Sequence, residues 1–151
     1  MKKTYSITVF LLILTVVFFA CNEKGNRMPF VRIAGGDSVG CLGEKQEKVI
    51  TTQEEWENFI IPLPICGINH LCGVEINFET HQVIIIVDEE RPNLMWSIDV
   101  TRIVEYFDRI VVTVAVFDPK GSAVLNITKQ PYRIVKMPAT RKSIEFNYVF
   151  K

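Results

Sequence analysis

The sequence predicts an α+β fold: a predominantly antiparallel β-sheet or sandwich domain carrying one short helix at about residues 52–61. Three observations predict it. Val83-Ile84-Ile85-Ile86-Val87 is an unbroken, largely β-branched run, the pattern of a strand covered on both faces. Trp96 to Val100, Ile110 to Val116 and Ile144 to Phe150 place apolar side chains at every second position, the signature of strands with one buried face. Helical periodicity is strong in one place, where Trp56, Phe59 and Ile60 follow Thr51-Thr52-Gln53-Glu54-Glu55.

Each element can be justified in chain order. Phe30 to Ala34 reads as a first short strand, and Gly35-Gly36-Asp37-Ser38 as a turn cluster. Lys48-Val49-Ile50 reads as a second short strand. The helix opens with a capping box, Thr52 with Glu55 or Thr51 with Glu54, in which the hydroxyl accepts an orphan backbone N–H and the glutamate reaches back. Pro62 and Pro64 forbid its continuation. After a cysteine-bearing loop comes the strand at 83–87. Asp88-Glu89-Glu90-Arg91-Pro92-Asn93 breaks it, and the carboxylates read as a solvated rim. From Trp96 the alternation runs to Val100 and then shifts phase to Ile103, which predicts a bulge near Thr101-Arg102. Phe107-Asp108-Arg109 and Pro119-Lys120-Gly121-Ser122 read as turns. Tyr132 to Met137, ended by Pro138, and Ile144 to Phe150 complete the strands.

Ahead of this domain stands a different kind of segment. Lys2 and Lys3 are followed by Val9 to Ala20, apolar apart from Thr15, and then by Cys21 and polar Asn22-Glu23-Lys24-Gly25-Asn26. This is the layout of a secretory signal, and it resembles a bacterial lipoprotein signal with Cys21 as the lipidated residue. Phe18 and Phe19 depart from the usual lipobox. The alternative is an uncleaved anchor, for which Tyr5 to Cys21 is barely long enough, since a span wants about 20 apolar residues. The expected organisation is a signal at 1–20, a tether at 21–29 and a single β-rich domain at 30–151.

Composition narrows the function classes. The whole chain carries 17 basic and 17 acidic residues, and without Lys2 and Lys3 the balance turns slightly acidic. No basic block exists, so nucleic acid is not an expected partner. With Cys21 lipidated, Cys41, Cys66 and Cys72 remain for one disulfide in an oxidising compartment. Cys66 and Cys72 close the shortest loop and are the favoured pair, with Cys41 bonded to either as the alternative. Cys66, His70 and Cys72 also offer three metal ligands, but structural zinc takes four, so neither a metal nor another cofactor is expected. The two histidines, His70 and His81, accompany no recognisable nucleophile motif, so no catalytic residues are assigned and the protein is not expected to be an enzyme.

The C-terminal half carries a family likeness. Glu90-Arg91-Pro92-Asn93-Leu94-Met95-Trp96-Ser97-Ile98 is similar to a K-P-T-G-G-Y-S-I segment, and Gln130-Pro131-Tyr132-Arg133-Ile134-Val135-Lys136-Met137-Pro138 to S-P-Y-H-I-V-K-I-P. With Asp118-Pro119-Lys120-Gly121 between them, these resemble the C-terminal domain of the PrcB family of bacterial lipoproteins, over about residues 30–150. The resemblance implies a non-catalytic, lipid-anchored envelope protein that binds or assembles with other proteins, a protease-complex subunit being one form of this. The expected location is the outer membrane, on its periplasmic face or at the cell surface. Leu94 and Met95 stand where the family has two glycines, which makes Pro92, Asn93, Leu94, Met95 and Trp96 a bulky apolar loop and the candidate partner-binding segment. The alternative function is peptidase inhibition through the same loop, because the family's Pro-x-Gly-Gly-Tyr turn is reminiscent of chagasin-like inhibitors.

Overall fold

The computed structural model describes residues 24–38, 42–63, 71, 73–91, 95–118 and 128–151. In chain order the elements are β1 (Asn26–Arg27), β2 (Val31–Ser38), β3 (Gln46–Ile50), α1 (Gln53–Ile60), β4 (His81–Val87), β5 (Ser97–Glu105), β6 (Arg109–Phe117), β7 (Gln130–Pro138) and β8 (Ser143–Phe150). They form two four-stranded sheets, ordered β1-β5-β6-β8 and β2-β7-β4-β3. All pairings are antiparallel except β6 with β8. The α+β sandwich predicted from the sequence is the observed architecture.

The unbroken apolar run explains how the layers stack. Val83 to Val87 are without solvent exposure, and their side chains divide between two cores. Ile84 and Ile86 point between the sheets, against Val100, Val112 and Val114 of the opposing one and Val135 and Met137 of their own. Val83, Ile85 and Val87 point the other way, into a second core with Ile50, Trp56, Leu71 and Ile134 beneath α1 and the segment that follows it. Strand β4 therefore needs both an opposing sheet and a covering helix, because successive strand residues alternate faces. Burial of each such side chain is worth roughly 1.5–3 kcal/mol.

Helix α1 is fixed at its N-terminus by a capping box and in its middle by a buried ring. Thr52 is the N-cap: its hydroxyl accepts from Glu55 N at 3.2 Å, while Glu55 Oε2 accepts from the backbone of Thr51 at 2.9 Å and of Thr52 at 3.2 Å. Of the two capping boxes the sequence allowed, the structure selects Thr52 with Glu55. The Thr51 backbone donor, with Thr52 adding to it, holds the Glu55 carboxyl below the usual carboxylate range. Trp56 is the helix's buried residue; its ring stacks on Phe59 and its Nε1 donates to Val74 O at 3.3 Å.

The two sheets are also tied by charge. Arg32 of β2 makes a two-point contact with the Asp99 carboxylate of β5, at 3.0 and 2.6 Å, and Arg133 of β7 approaches the same carboxylate at 3.2 Å. Arg133 further donates to Ile98 O and Arg32 to Val100 O. These guanidinium groups supply donors along the part of the β5 edge that β1 does not pair, a stretch that would otherwise present open carbonyls.

The structure corrects three local expectations. Gly35 to Ser38 are not a turn but the second half of β2, paired with β7. The glycine has a spatial role: a Cβ at Gly35 would collide with the Arg133 guanidinium that crosses it. Asn26 and Arg27, assigned to the tether, form β1 against Val104 and Glu105. The third correction concerns Asp88, described below. The bulge expected near Thr101-Arg102 is present as a register shift between Val100 and Arg102.

Two outcomes test these layers. Ile84→Ala and Ile85→Ala should each cost about 2–5 kcal/mol in denaturant unfolding, because each opens a cavity in a different core, whereas Val49→Ala on the exposed edge strand should stay within about 0.5 kcal/mol. Thr52→Ala should cost about 1 kcal/mol. Because the folded Glu55 carboxyl titrates below its unfolded value, its contribution is complete above the unfolded pKa and fades as pH falls through the folded one. Glu55→Gln should therefore flatten the acid limb of the stability–pH curve.

Candidate partner-contact end of the sandwich

One end of the sandwich gathers the residues that follow β4 and precede β5, the close of β6, the opening of β7 and the C-terminal half of β8. Its base is a buried charge. Asp88 directly follows β4 and is 1% exposed, which contradicts the reading of Asp88-Glu89-Glu90 as a uniformly solvated rim; only Glu89 and Glu90 are exposed. Asp88 is buried because cations meet it there: Arg91 Nε and Nη2 lie 3.2 and 3.1 Å from its Oδ2, and Lys45 Nζ lies 3.5 Å from its Oδ1. A charge taken out of water needs such partners.

Backbone contacts brace the same base. Asp88 N donates to Pro131 O at 2.9 Å, and Arg91 and Lys129 exchange backbone hydrogen bonds at 2.7 and 2.9 Å. Gln130, buried at the start of β7, donates from Nε2 to Asp88 O at 3.0 Å and Gly43 O at 2.6 Å, joining three chain segments. The segment from Asp88 to Arg91 is thus fixed against the start of β7.

Arg91 has a second contact. Its guanidinium lies 4.3 Å from the Trp96 ring centroid, a cation–π arrangement. Trp96 is half-buried and packs on the inter-sheet core. Lys45 likewise lies 4.8 Å over the Tyr148 ring, and the Tyr148 hydroxyl donates to Glu47 Oε1 at 2.5 Å. Burial, reinforced by Glu47, raises the Tyr148 phenol well above its ordinary pKa; it is a neutral hydrogen-bond donor at any physiological pH.

The predicted contact residues divide accordingly. Pro92, Asn93 and Leu94 lie outside the described residues, as do Cys21, Cys66 and Cys72. Met95 is 66% exposed at the mouth of β5, while Trp96 is partly committed to packing. Two aromatic residues at this end escaped the sequence reading. Phe150, 67% exposed, sits opposite Val116 in the β6–β8 register, and Phe117 sits opposite Ser97. Phe117 stands out of phase with Val112, Val114 and Val116, and that phase break was its available signal. Phe150 is in phase with the partly buried Ile144, Phe146 and Tyr148 and is exposed at the last residue of β8. Met95, Phe117 and Phe150 are exposed apolar side chains at this end, an apolar fringe in which Phe117 and Phe150 stand on opposite faces of the sheet.

Among the described residues, no group of three or more His, Cys, Asp or Glu side chains is placed to hold a metal ion. His81 pairs its Nδ1 with the Thr80 hydroxyl at 2.8 Å, at the far end of β4 from Asp88.

No family model, curated protein sequence or solved structure matches the chain. The reading of this end therefore stands on its own geometry.

Asp88→Asn should cost about 3 kcal/mol in denaturant unfolding, since it removes the buried counter-charge of the largely buried Arg91 guanidinium and leaves it only the exposed Glu89. Glu89→Gln, on the solvent side of the same arginine, should change stability by less than about 0.5 kcal/mol.

Proposed function

We propose that this chain is a lipid-anchored protein of the bacterial cell envelope that acts without catalysis, by holding another protein at the loop end of its sandwich. A single geometric observation carries the reading. Strand β1, which lies within the segment expected to be the tether, pairs with Glu105 and Val104 at one end of β5, while Met95 and Trp96 adjoin Ser97 at the other. The strand has nine residues, so about 30 Å separates an anchored end from a contact end at the usual rise per residue. The apolar fringe then faces away from the membrane, where a protein partner can reach it.

Three further features support it. The N-terminal layout of charge, apolar run and cysteine is that of a lipoprotein signal. The resemblance to PrcB-like lipoproteins suggests assembly with another envelope or surface protein, a protease among the candidates. The residues that lead toward the candidate segment, Asp88 and Arg91, are braced by each other and by Gln130, and ordering less of a contact site on binding costs less entropy.

Cross-linking of intact envelopes followed by mass spectrometry is the test. The full chain should be recovered with one predominant protein, and replacing Leu94, Met95 and Trp96 by Gly-Gly-Tyr should lower that yield by at least about tenfold, the effect of losing a hot spot worth 1.4 kcal/mol. Recovery of no partner, or an unchanged yield from a variant of unchanged stability, contradicts the proposal. Should the full chain instead inhibit a papain-like peptidase through the same loop, the inhibitor reading replaces it.

A further inference from the structure

The opposite end of the sandwich carries a residue that the partner reading leaves unused. Phe107, at the tip of the β5–β6 hairpin, is 93% exposed, the most exposed large apolar side chain among the described residues. Its neighbours are held in place around it. Tyr106 N donates to Arg109 O at 2.8 Å to close the turn, Lys142 Nζ donates to Tyr106 O at 2.7 Å, and the Arg109 guanidinium lies 5.1 Å from the Tyr106 ring centroid. Tyr106 is thereby fixed while Phe107 projects alone.

The route of the N-terminal segment bears directly on this tip. Asn26 pairs with Glu105, one residue before Tyr106. Gly25 is laid so closely on the hairpin that a Cβ there would collide with Val104 and the Tyr106 ring. Cys21 precedes Lys24 by three residues, which extended chain spans in about 11 Å at most. A lipid on Cys21 therefore holds the hairpin tip within a short reach of the bilayer whatever path those residues take. The charges at this end suit an anionic surface. Lys24, Arg27 and Arg141 stand exposed, while the nearby carboxylates Glu105 and Asp108 are already engaged by Lys142 at 2.8 Å and Arg109 at 3.1 Å. Apolar tips with basic flanks are the usual means of interfacial contact.

We infer that the β5–β6 hairpin tip is a membrane-seating element: Phe107 enters the interface of the anionic phospholipid bilayer that holds the Cys21 lipid, with the flanking basic residues on the headgroups. The inference rests on the anchoring reading above. It gives the protein two membrane contacts, one covalent and one through the fold, and two contacts fix an orientation where one leaves the domain free to swing.

The test uses the full-length chain, matured in cells and reconstituted into vesicles of phosphatidylethanolamine and phosphatidylglycerol, as wild type and as Phe107→Trp. Mass analysis of the N-terminal peptide first reports whether Cys21 carries lipid. The difference emission of the variant should be blue-shifted and should be lost when the vesicles contain lipids brominated near the headgroup. Both effects should weaken when phosphatidylglycerol is replaced by phosphatidylcholine. Water-like emission that bromine does not quench, on a chain whose Cys21 is lipidated, overturns the seating and leaves the anchor standing. Blue-shifted emission that bromine does not quench places the tip against a second copy or another protein, and also overturns it. A Cys21 without lipid overturns both.

Discussion

The fold depends on one strand that cannot face water on either side. With Val83 to Val87 fully buried, β4 is stable only where an opposing sheet covers one face and α1 with its following segment covers the other. The remaining architecture answers to that demand. Strand β7 lies beside β4 and repeats its division, with Val135 and Met137 turned to the inter-sheet core and Tyr132 and Ile134 to the helix. Because β4 contributes to both cores, a defect there loosens two layers at once, and the end of β4 is the place where a rigid loop base can be built.

Two carboxylates complete what apolar burial leaves undone. Asp99 draws Arg32 and Arg133 across the gap between the sheets, and those arginines cover carbonyls of β5 beyond its pairing with β1. Asp88 draws Arg91 and Lys45 inward beneath the loop that leads to Met95. Neither pairing adds much net stability by itself: water screens the exposed Arg32–Asp99 contact, and desolvation offsets most of the attraction at buried Asp88. Their effect is placement: the first holds the sheets in one relation, and the second sets where the candidate contact loop leaves the domain.

What the sequence made legible was what depends on neighbours along the chain. The β-branched run at 83–87, the Thr52–Glu55 capping box and the phase slip at Thr101-Arg102 are each local signals, and each has its counterpart in the structure. The failures have a shared cause in contacts between distant segments. Gly35 and Gly36 suggest a turn until Arg133, far along the chain, is seen to need the space above Gly35. Asp88 belongs to an acidic run that reads as solvated, and only Lys45 from another segment together with the folded-back Arg91 makes its burial tolerable. The parallel pairing of β6 with β8 and the exposure of Phe150 at the end of β8 are likewise matters that alternation alone does not reveal. The bracing of Asp88 and Arg91 against the start of β7 was not legible.

Function, on this account, follows from the direction of β5. One end of that strand receives the segment leading from the proposed lipid, and the other opens into the loop with Met95 and Trp96. The direct test is the height of that loop above the bilayer. A fluorophore introduced at position 95 of the lipidated full chain, with energy-transfer acceptors on the lipid headgroups, should report about 30 Å more separation than one at position 107, the length of a nine-residue strand at 3.3 Å per residue. Equal separations would mean that the sandwich lies flat on the membrane, and a loop at position 95 closer than position 107 would mean that it is inverted. Either result would contradict the division of the domain into an anchored end and a contact end.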